Sequence, residues 1–344
     1  MELVVRVLIL FSLSSTFFSF ANCDSSSAAI SCAVGLNSYH KKDIISAVYA
    51  LTNNNDIYQA QGYVTFRLHS RENVNGQEIL IDEPELLQTA FFKKSRPTKM
   101  ITHGYLNSGT SPACKLSLNA FLNSGDYNII VVDWWNMQSI WGVLPLSYNR
   151  AVSHVKEVGI YVARMIDFLE SQGMSTDSTT LIGHSLGAHV MGIAGHYAKS
   201  RIKYIVGLDP ALPLFESRDE GDRLSITDAR IVEVIHTNVG DCGYINQLGH
   251  YDFYPNGGSK QPGCILNQCS HARAYELFAE SISSDSGFFG RKCTDLKSAK
   301  EGNCTGSLAK MGGNDESTGI QKRSISEGMY YLETRDSSPY AMGV

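Results

Sequence analysis

Thr180-Leu181-Ile182-Gly183-His184-Ser185-Leu186-Gly187-Ala188-His189-Val190 is the stretch from which the fold can be read. An apolar, β-type run ends at Gly183, and an Ala- and Gly-spaced helical run begins directly after Ser185. Gly-x-Ser-x-Gly at the junction of a strand and a helix is the sequence form of a nucleophile elbow. The turn must hold Ser185 in a strained backbone conformation so that its hydroxyl stands above the strand ends. Gly183 and Gly187 are expected where a Cβ would collide with the neighbouring strand and helix. The helix that starts here would aim its free N–H groups at the point where a negative oxygen can develop.

Around this turn the chain alternates strands with helices. Gly62 to Leu68 alternates as a strand, Lys99 to Thr102 is a short apolar strand ending at His103-Gly104, and Cys114 to Phe121 reads as a helix. Tyr127 to Asp133 is a continuous apolar run, as expected of a strand buried on both faces. Val152, Val155, Gly159, Val162, Ile166 and Leu169 form one stripe of a long amphipathic helix. Tyr204 to Leu208 and Ile231 to His236 are further strands, His271 to Ile282 a helix, and Gly328 to Thr334 a last strand. Residues 70–87 read as a connection. This order predicts a mostly parallel central sheet with helices on both faces, in one α/β domain.

The chain has 344 residues with 43% hydrophobic and 18% charged content and a net charge of −5, which argues against global disorder and gives no basic face for nucleic acid. Arg6, the apolar run Val7 to Phe11 and small residues at Ala21-Asn22-Cys23 predict a signal peptide over residues 1–23, with the catalytic domain covering 24–344. Secretion makes the cysteines candidates for disulfides. Spacing favours Cys264–Cys269 and Cys293–Cys304. Cys32–Cys114 then becomes the long pair, which leaves Cys242 free or bonded to another chain. Asn303-Cys304-Thr305 is a glycosylation sequon and implies an exposed loop.

A serine hydroxyl needs a base to become a nucleophile, and the base needs a carboxylate to hold its tautomer. In this fold class the order along the chain is serine, acid, histidine. Asp209, at the tip of the strand after the elbow, is the favoured acid, with Asp241 as the alternative; Asp133 precedes the serine and is disfavoured. His271, His236 and His250 all follow Asp209 and compete for the base. The oxyanion donors are expected to be the N–H groups of Leu186, next to the serine, and Tyr105, in the His103-Gly104-Tyr105 turn.

At these residues the chain resembles the pancreatic lipase family, and most of all its insect members and phospholipases of the A1 type. The resemblance is carried in order by His103-Gly104-Tyr105, Val132-Asp133-Trp134, Gly183-His184-Ser185-Leu186-Gly187, Gly207-Leu208-Asp209-Pro210-Ala211, Val234-Ile235-His236-Thr237, Asp252 to Gly258 and Cys269-Ser270-His271. It implies the α/β-hydrolase fold, the triad Ser185, Asp209 and His271, and oxyanion donors at Tyr105 and Leu186.

Two departures point to a substrate. The span between Cys264 and Cys269, which holds a long lid in triacylglycerol lipases of the family, is only Ile265-Leu266-Asn267-Gln268 here, and the Asn238 to Leu248 loop is also short. Both resemble the phospholipase A1 branch, which implies cleavage of the sn-1 acyl ester of phospholipids at a membrane or lipid-droplet surface. A triacylglycerol or galactolipid lipase with a trimmed lid is the alternative. A lipid carrier of the yolk-protein kind would lack the nucleophile. The resemblance implies no cofactor and no colipase, and a monomer is expected. Some relatives hold a structural calcium near the positions of Glu220, Arg223, Ser225 and Asp228; Ser225 stands where several have a carboxylate, so a solvated acidic loop is the competing reading.

Overall fold

The computed structural model describes residues 60, 63–140, 144–314 and 326–343. The segment read as a signal peptide, Cys23 and Cys32 lie outside them. Strands β1 (Thr65–His69), β2 (Gln77–Ile79), β3 (Thr98–Thr102), β4 (Asn128–Asp133), β7 (Thr179–His184), β8 (Ile202–Leu208), β9 (Ala229–Ile235), β10 (Tyr251–Pro255), β11 (Phe288–Lys292), β12 (Leu308–Met311) and β13 (Gly328–Leu332) form, among the described residues, one 11-stranded sheet. Two short strands, β5 (Ser139–Ile140) and β6 (Leu144–Pro145), pair separately. The order across the sheet is β12-β11-β13-β10-β9-β8-β7-β3-β4-β1-β2. Every pairing from β13 through to β4 is parallel, and antiparallel pairs close both edges.

The helices are α1 (Pro84–Thr89), α2 (Pro112–Ser124), α3 (Tyr148–Ser171), α4 (Leu186–Tyr197), α5 (Asn267–Ser283) and α6 (Leu296–Glu301). The sheet separates two apolar cores, and the alternation of side chains decides which residue enters which. On β4, Ile130 and Val132 join the core under α3 and α4, while Ile129 and Val131 join the core under α2 and α5. That two-sided burial is why the run reads as continuously apolar. All six residues of the α3 stripe are buried, and a Cβ on Gly159 would stand 2.6 Å from Ile193 of α4, so this glycine sets the close approach of the two helices.

The structure departs from the sequence reading in three places. Residues 70–87 contain β2 and the start of α1. β10, β11 and β12 extend the sheet beyond the strands read from periodicity. α5 begins at Asn267, so His271 lies inside the helix rather than at its boundary, and of the four residues between the cysteines Asn267 and Gln268 are helical. Ile265 and Leu266 remain outside it, 90% and 44% exposed.

Cys264–Cys269 and Cys293–Cys304 are bonded. The reading of Cys114 and Cys242 is reversed. Cys242 is disulfide-bonded, while Cys114 is a free thiol in the first turn of α2, fully buried beside Leu118 and Phe121. Spacing along the chain cannot tell a core-facing cysteine from one that reaches a partner. Burial, reinforced by the Asp133 charge, pushes the Cys114 thiol up. Asn303 is exposed, in the turn after α6.

Candidate active site

β7 and α4 meet at Ser185, whose φ of 58° and ψ of −122° lie in the left-handed half of backbone space that non-glycine residues avoid. The neighbouring glycines allow the turn. A Cβ on Gly183 would lie 2.1 Å from the Gly187 carbonyl oxygen, and one on Gly187 2.5 Å from that of His103. Gly104 has the same role from the other side, since its Cβ would stand 2.6 Å from the Ser185 Cβ. The elbow is tied to the next strand: the Ser185 amide donates to the Leu208 carbonyl at 3.0 Å, and the Ala211 amide to the Ser185 carbonyl at 3.3 Å.

Asp209 follows β8 with φ +44° and is fully buried. Its Oδ1 accepts the Thr237 and Asn238 amides at 2.8 and 3.0 Å, and its Oδ2 meets His271 Nδ1 at 2.6 Å. Two amides on one oxygen hold the carboxylate in one orientation. Gly243 leaves room for it, as a Cβ there would come within 2.3 Å of Oδ1. Asp241 lies in the same loop, but the Nδ1 position is taken by Asp209.

His271 is half-buried on α5, two residues beyond the Cys264–Cys269 bridge. Its carbonyl accepts from His184 Nε2 at 3.0 Å, and the two rings lie 4.5 Å apart, so the residue before the serine fixes the backbone of the histidine. Burial, then the neighbouring His271, holds the His184 pKa well below the usual histidine range. His184 is therefore a neutral neighbour of the His271 ring.

The other candidate bases are engaged elsewhere. His236 is fully buried, paired to Asp252 at 2.8 Å and stacked on Tyr254. His250 Nδ1 accepts the Val232 amide at 2.9 Å. His103 Nε2 meets Asp133 at 3.0 Å, under Trp134. The His236–Asp252 pair is a second histidine–carboxylate contact, and it braces the active-site loop: Asp252 also accepts the Leu248 and Gly249 amides.

Sequence reasoning missed His189. It is one helical turn beyond Ser185, donates from Nε2 to the Ala211 carbonyl at 2.8 Å and accepts the Leu224 amide on Nδ1 at 3.1 Å. It thus pins the Asp209-Pro210-Ala211 turn to the elbow helix, and burial lowers its pKa to about 3. The i, i+4 spacing from the serine was the available signal.

Around Glu220, Arg223, Ser225 and Asp228 the side-chain oxygens already have protein partners. Arg223 donates to the Ser225 hydroxyl at 3.0 Å and to the Leu224 carbonyl at 2.8 Å, so a guanidinium already stands among the oxygens. The Asp228 carboxylate accepts the Ser225 amide and meets His196. Among the described residues no group of three or more His, Cys, Asp or Glu side chains is arranged for a metal.

A parallel sheet in this order, with a serine elbow after a central strand and the carboxylate after the next, is the α/β-hydrolase fold. The chain belongs to the lipase family, whose profile matches residues 39–340. It is 37% identical to Lipase member H-A of Xenopus laevis over 251 residues, covering 70% of this chain and 53% of that protein. It is 32% identical to the pancreatic triacylglycerol lipase of Myocastor coypus over 307 residues, covering 80% and 65%. The chain thus spans about half the length of the lipase H relatives it matches. A hyperthermophilic esterase from Pyrobaculum calidifontis is 14% identical with a TM-score of 0.31, covering 67% of this chain and 78% of that one, a likeness too slight to weigh.

Proposed function

We propose that this chain is a secreted hydrolase of lipid esters, with Ser185 as nucleophile, His271 as base and Asp209 as the carboxylate that orients it. The observations that carry the reading are the 2.6 Å contact of His271 Nδ1 with Asp209, whose other oxygen is held by two amides, and the strained elbow backbone of Ser185. With Nδ1–H given to Asp209, the unprotonated Nε2 is the nitrogen that accepts the Ser185 proton. Ser185 Oγ bonds to the ester carbonyl carbon, and the carbonyl oxygen becomes an oxyanion received by the Tyr105 and Leu186 amides. The Leu186 amide is the first of α4, one of the helix's N–H groups with no intrahelical acceptor. Collapse breaks the ester bond. The alcohol leaves with the proton from Nε2, and water activated by the same nitrogen releases the fatty acid.

Within that chemistry we favour the sn-1 ester of phospholipids. Cys264–Cys269 closes a four-residue segment whose exposed apolar side chains are Ile265 and Leu266, which suits an open site for a polar head group. Those two side chains would touch the lipid surface, contributing a few kcal/mol at about 25 cal/mol per Å². The disulfides suit an oxidising, extracellular compartment. A triacylglycerol lipase is the second reading, favoured by the relatives that carry that name.

The purified protein should release fatty acid from sn-1-labelled phospholipid vesicles, with Ser185→Ala inactive and unlabelled by a fluorophosphonate probe. Release from emulsified triacylglycerol alone would replace the phospholipase reading with the second. Folded wild-type protein that neither hydrolyses ester nor takes the probe would end both.

A further inference from the structure

The Tyr105 amide belongs to the peptide group whose carbonyl is that of Gly104. The Gly104–Tyr105 bond is trans, so this N–H points opposite to that C=O. Whatever holds the carbonyl therefore aims the amide. Two side chains do so. Gln138 Nε2 donates to the Gly104 carbonyl at 3.2 Å, and His103 Nδ1 lies 3.0 Å from the same oxygen.

Gln138 is fully buried in the turn after β4, and its other atom reaches across Tyr105: Oε1 accepts the Leu106 amide at 3.0 Å. Leu106 has φ +57°, a strained conformation for a leucine, and this bond helps hold it there. One side-chain amide thus brackets Tyr105 on both sides. Gly104 itself lies against Ser185, with a would-be Cβ 3.2 Å from its Oγ, so the peptide it begins is beside the nucleophile.

We propose that Gln138 is a positioning residue for the oxyanion site: it fixes the plane of the Gly104–Tyr105 peptide and, by donating to its oxygen, makes the N–H a stronger donor. Hydrogen bonds in a chain polarise one another, and a donor aimed in advance at a developing charge has no reorganisation left to do when that charge forms. The inference rests on the Tyr105 amide being an oxyanion donor, as in the function proposed above.

The test compares wild type, Gln138→Met and Gln138→Glu on a soluble short-chain ester, with an alkylboronic acid as the tetrahedral mimic. Gln138→Met should lower kcat about 10- to 100-fold, less than deleting an oxyanion donor outright. Its boronate affinity should fall in parallel while KM stays within about threefold. Gln138→Glu supplies a readout that survives any folding defect of the methionine variant. Only the protonated carboxyl can donate to the Gly104 oxygen, so the kcat of this variant divided by that of wild type should rise as pH falls. Taking the ratio removes the titration of His271, which both proteins share. A flat ratio, or a methionine variant with wild-type kcat and boronate affinity, would overturn the proposal. Wild-type protein that is itself inactive on esters would instead overturn the reading beneath it.

Discussion

At the scale of single residues, the elbow is decided by space. Gly183 and Gly187 are needed because the Gly187 and His103 carbonyl oxygens occupy the places where Cβ atoms would go. Gly187→Ala is expected to lower stability by about 1–3 kcal/mol through overpacking, read as a fall in Tm. It should also move the His103-Gly104 loop and so reduce kcat. Asp209→Asn should fold, because its Oδ1 can still accept the Thr237 and Asn238 amides, yet lose on the order of 10⁴ in kcat by favouring the wrong imidazole tautomer. A steady-state assay beside a melting curve separates the two effects. Gly183 and Gly187 were legible in the sequence because their constraint is local. Gln138 was not, because nothing in its spacing says that a buried amide would reach a loop on another strand.

At the scale of elements, α5 decides where the histidine stands. Its first turns are closed by Cys264–Cys269 and braced by Arg273, which donates to the Pro262 carbonyl and stacks on Tyr340. Replacing both cysteines by serine removes a short crosslink worth about 2 kcal/mol by loop entropy. The fall in kcat should exceed what that loss of stability implies, because His271 sits just beyond the bridge. Kinetics measured well below the melting temperature would show it, and unchanged kcat would mean that Arg273 and the His184 contact suffice. α3 and β4 were readable, the helix from its periodic apolar stripe and the strand from an apolar run buried on both faces. β2, β10, β11 and β12 were not: β2 and β12 are the sheet's edges and owe their form to the partner strand rather than to their own pattern, and β10 and β11 take theirs from the strands on either side.

At the scale of the whole molecule, buried titratable groups couple the fold to pH. Glu233 of β9 is fully buried. It accepts the Tyr204 hydroxyl at 2.7 Å and the Gly312 amide at 2.7 Å, joining the centre of the sheet to the turn beyond β12. Burial raises its pKa to about 8 from an ordinary 4.5. Below the lower value both folded and unfolded chains hold the proton, and the contribution to stability is full. Between the two, the unfolded chain releases its proton and the folded one does not, so stability falls as pH rises. Glu233→Gln should therefore melt progressively higher relative to wild type as pH goes from 4.5 to 8, and a constant difference across that range would refute the coupling. The sequence by itself determined the elbow, the alternation of strand and helix and the serine, acid, histidine order, because glycine sterics and side-chain periodicity act over a few residues. Only the tertiary structure decided that Asp209 rather than Asp241 meets His271, that His236 belongs to Asp252, and that Cys242 rather than Cys114 is bonded. Those pairings depend on which strands become neighbours and which way each side chain faces, and distance along the chain carries no record of either.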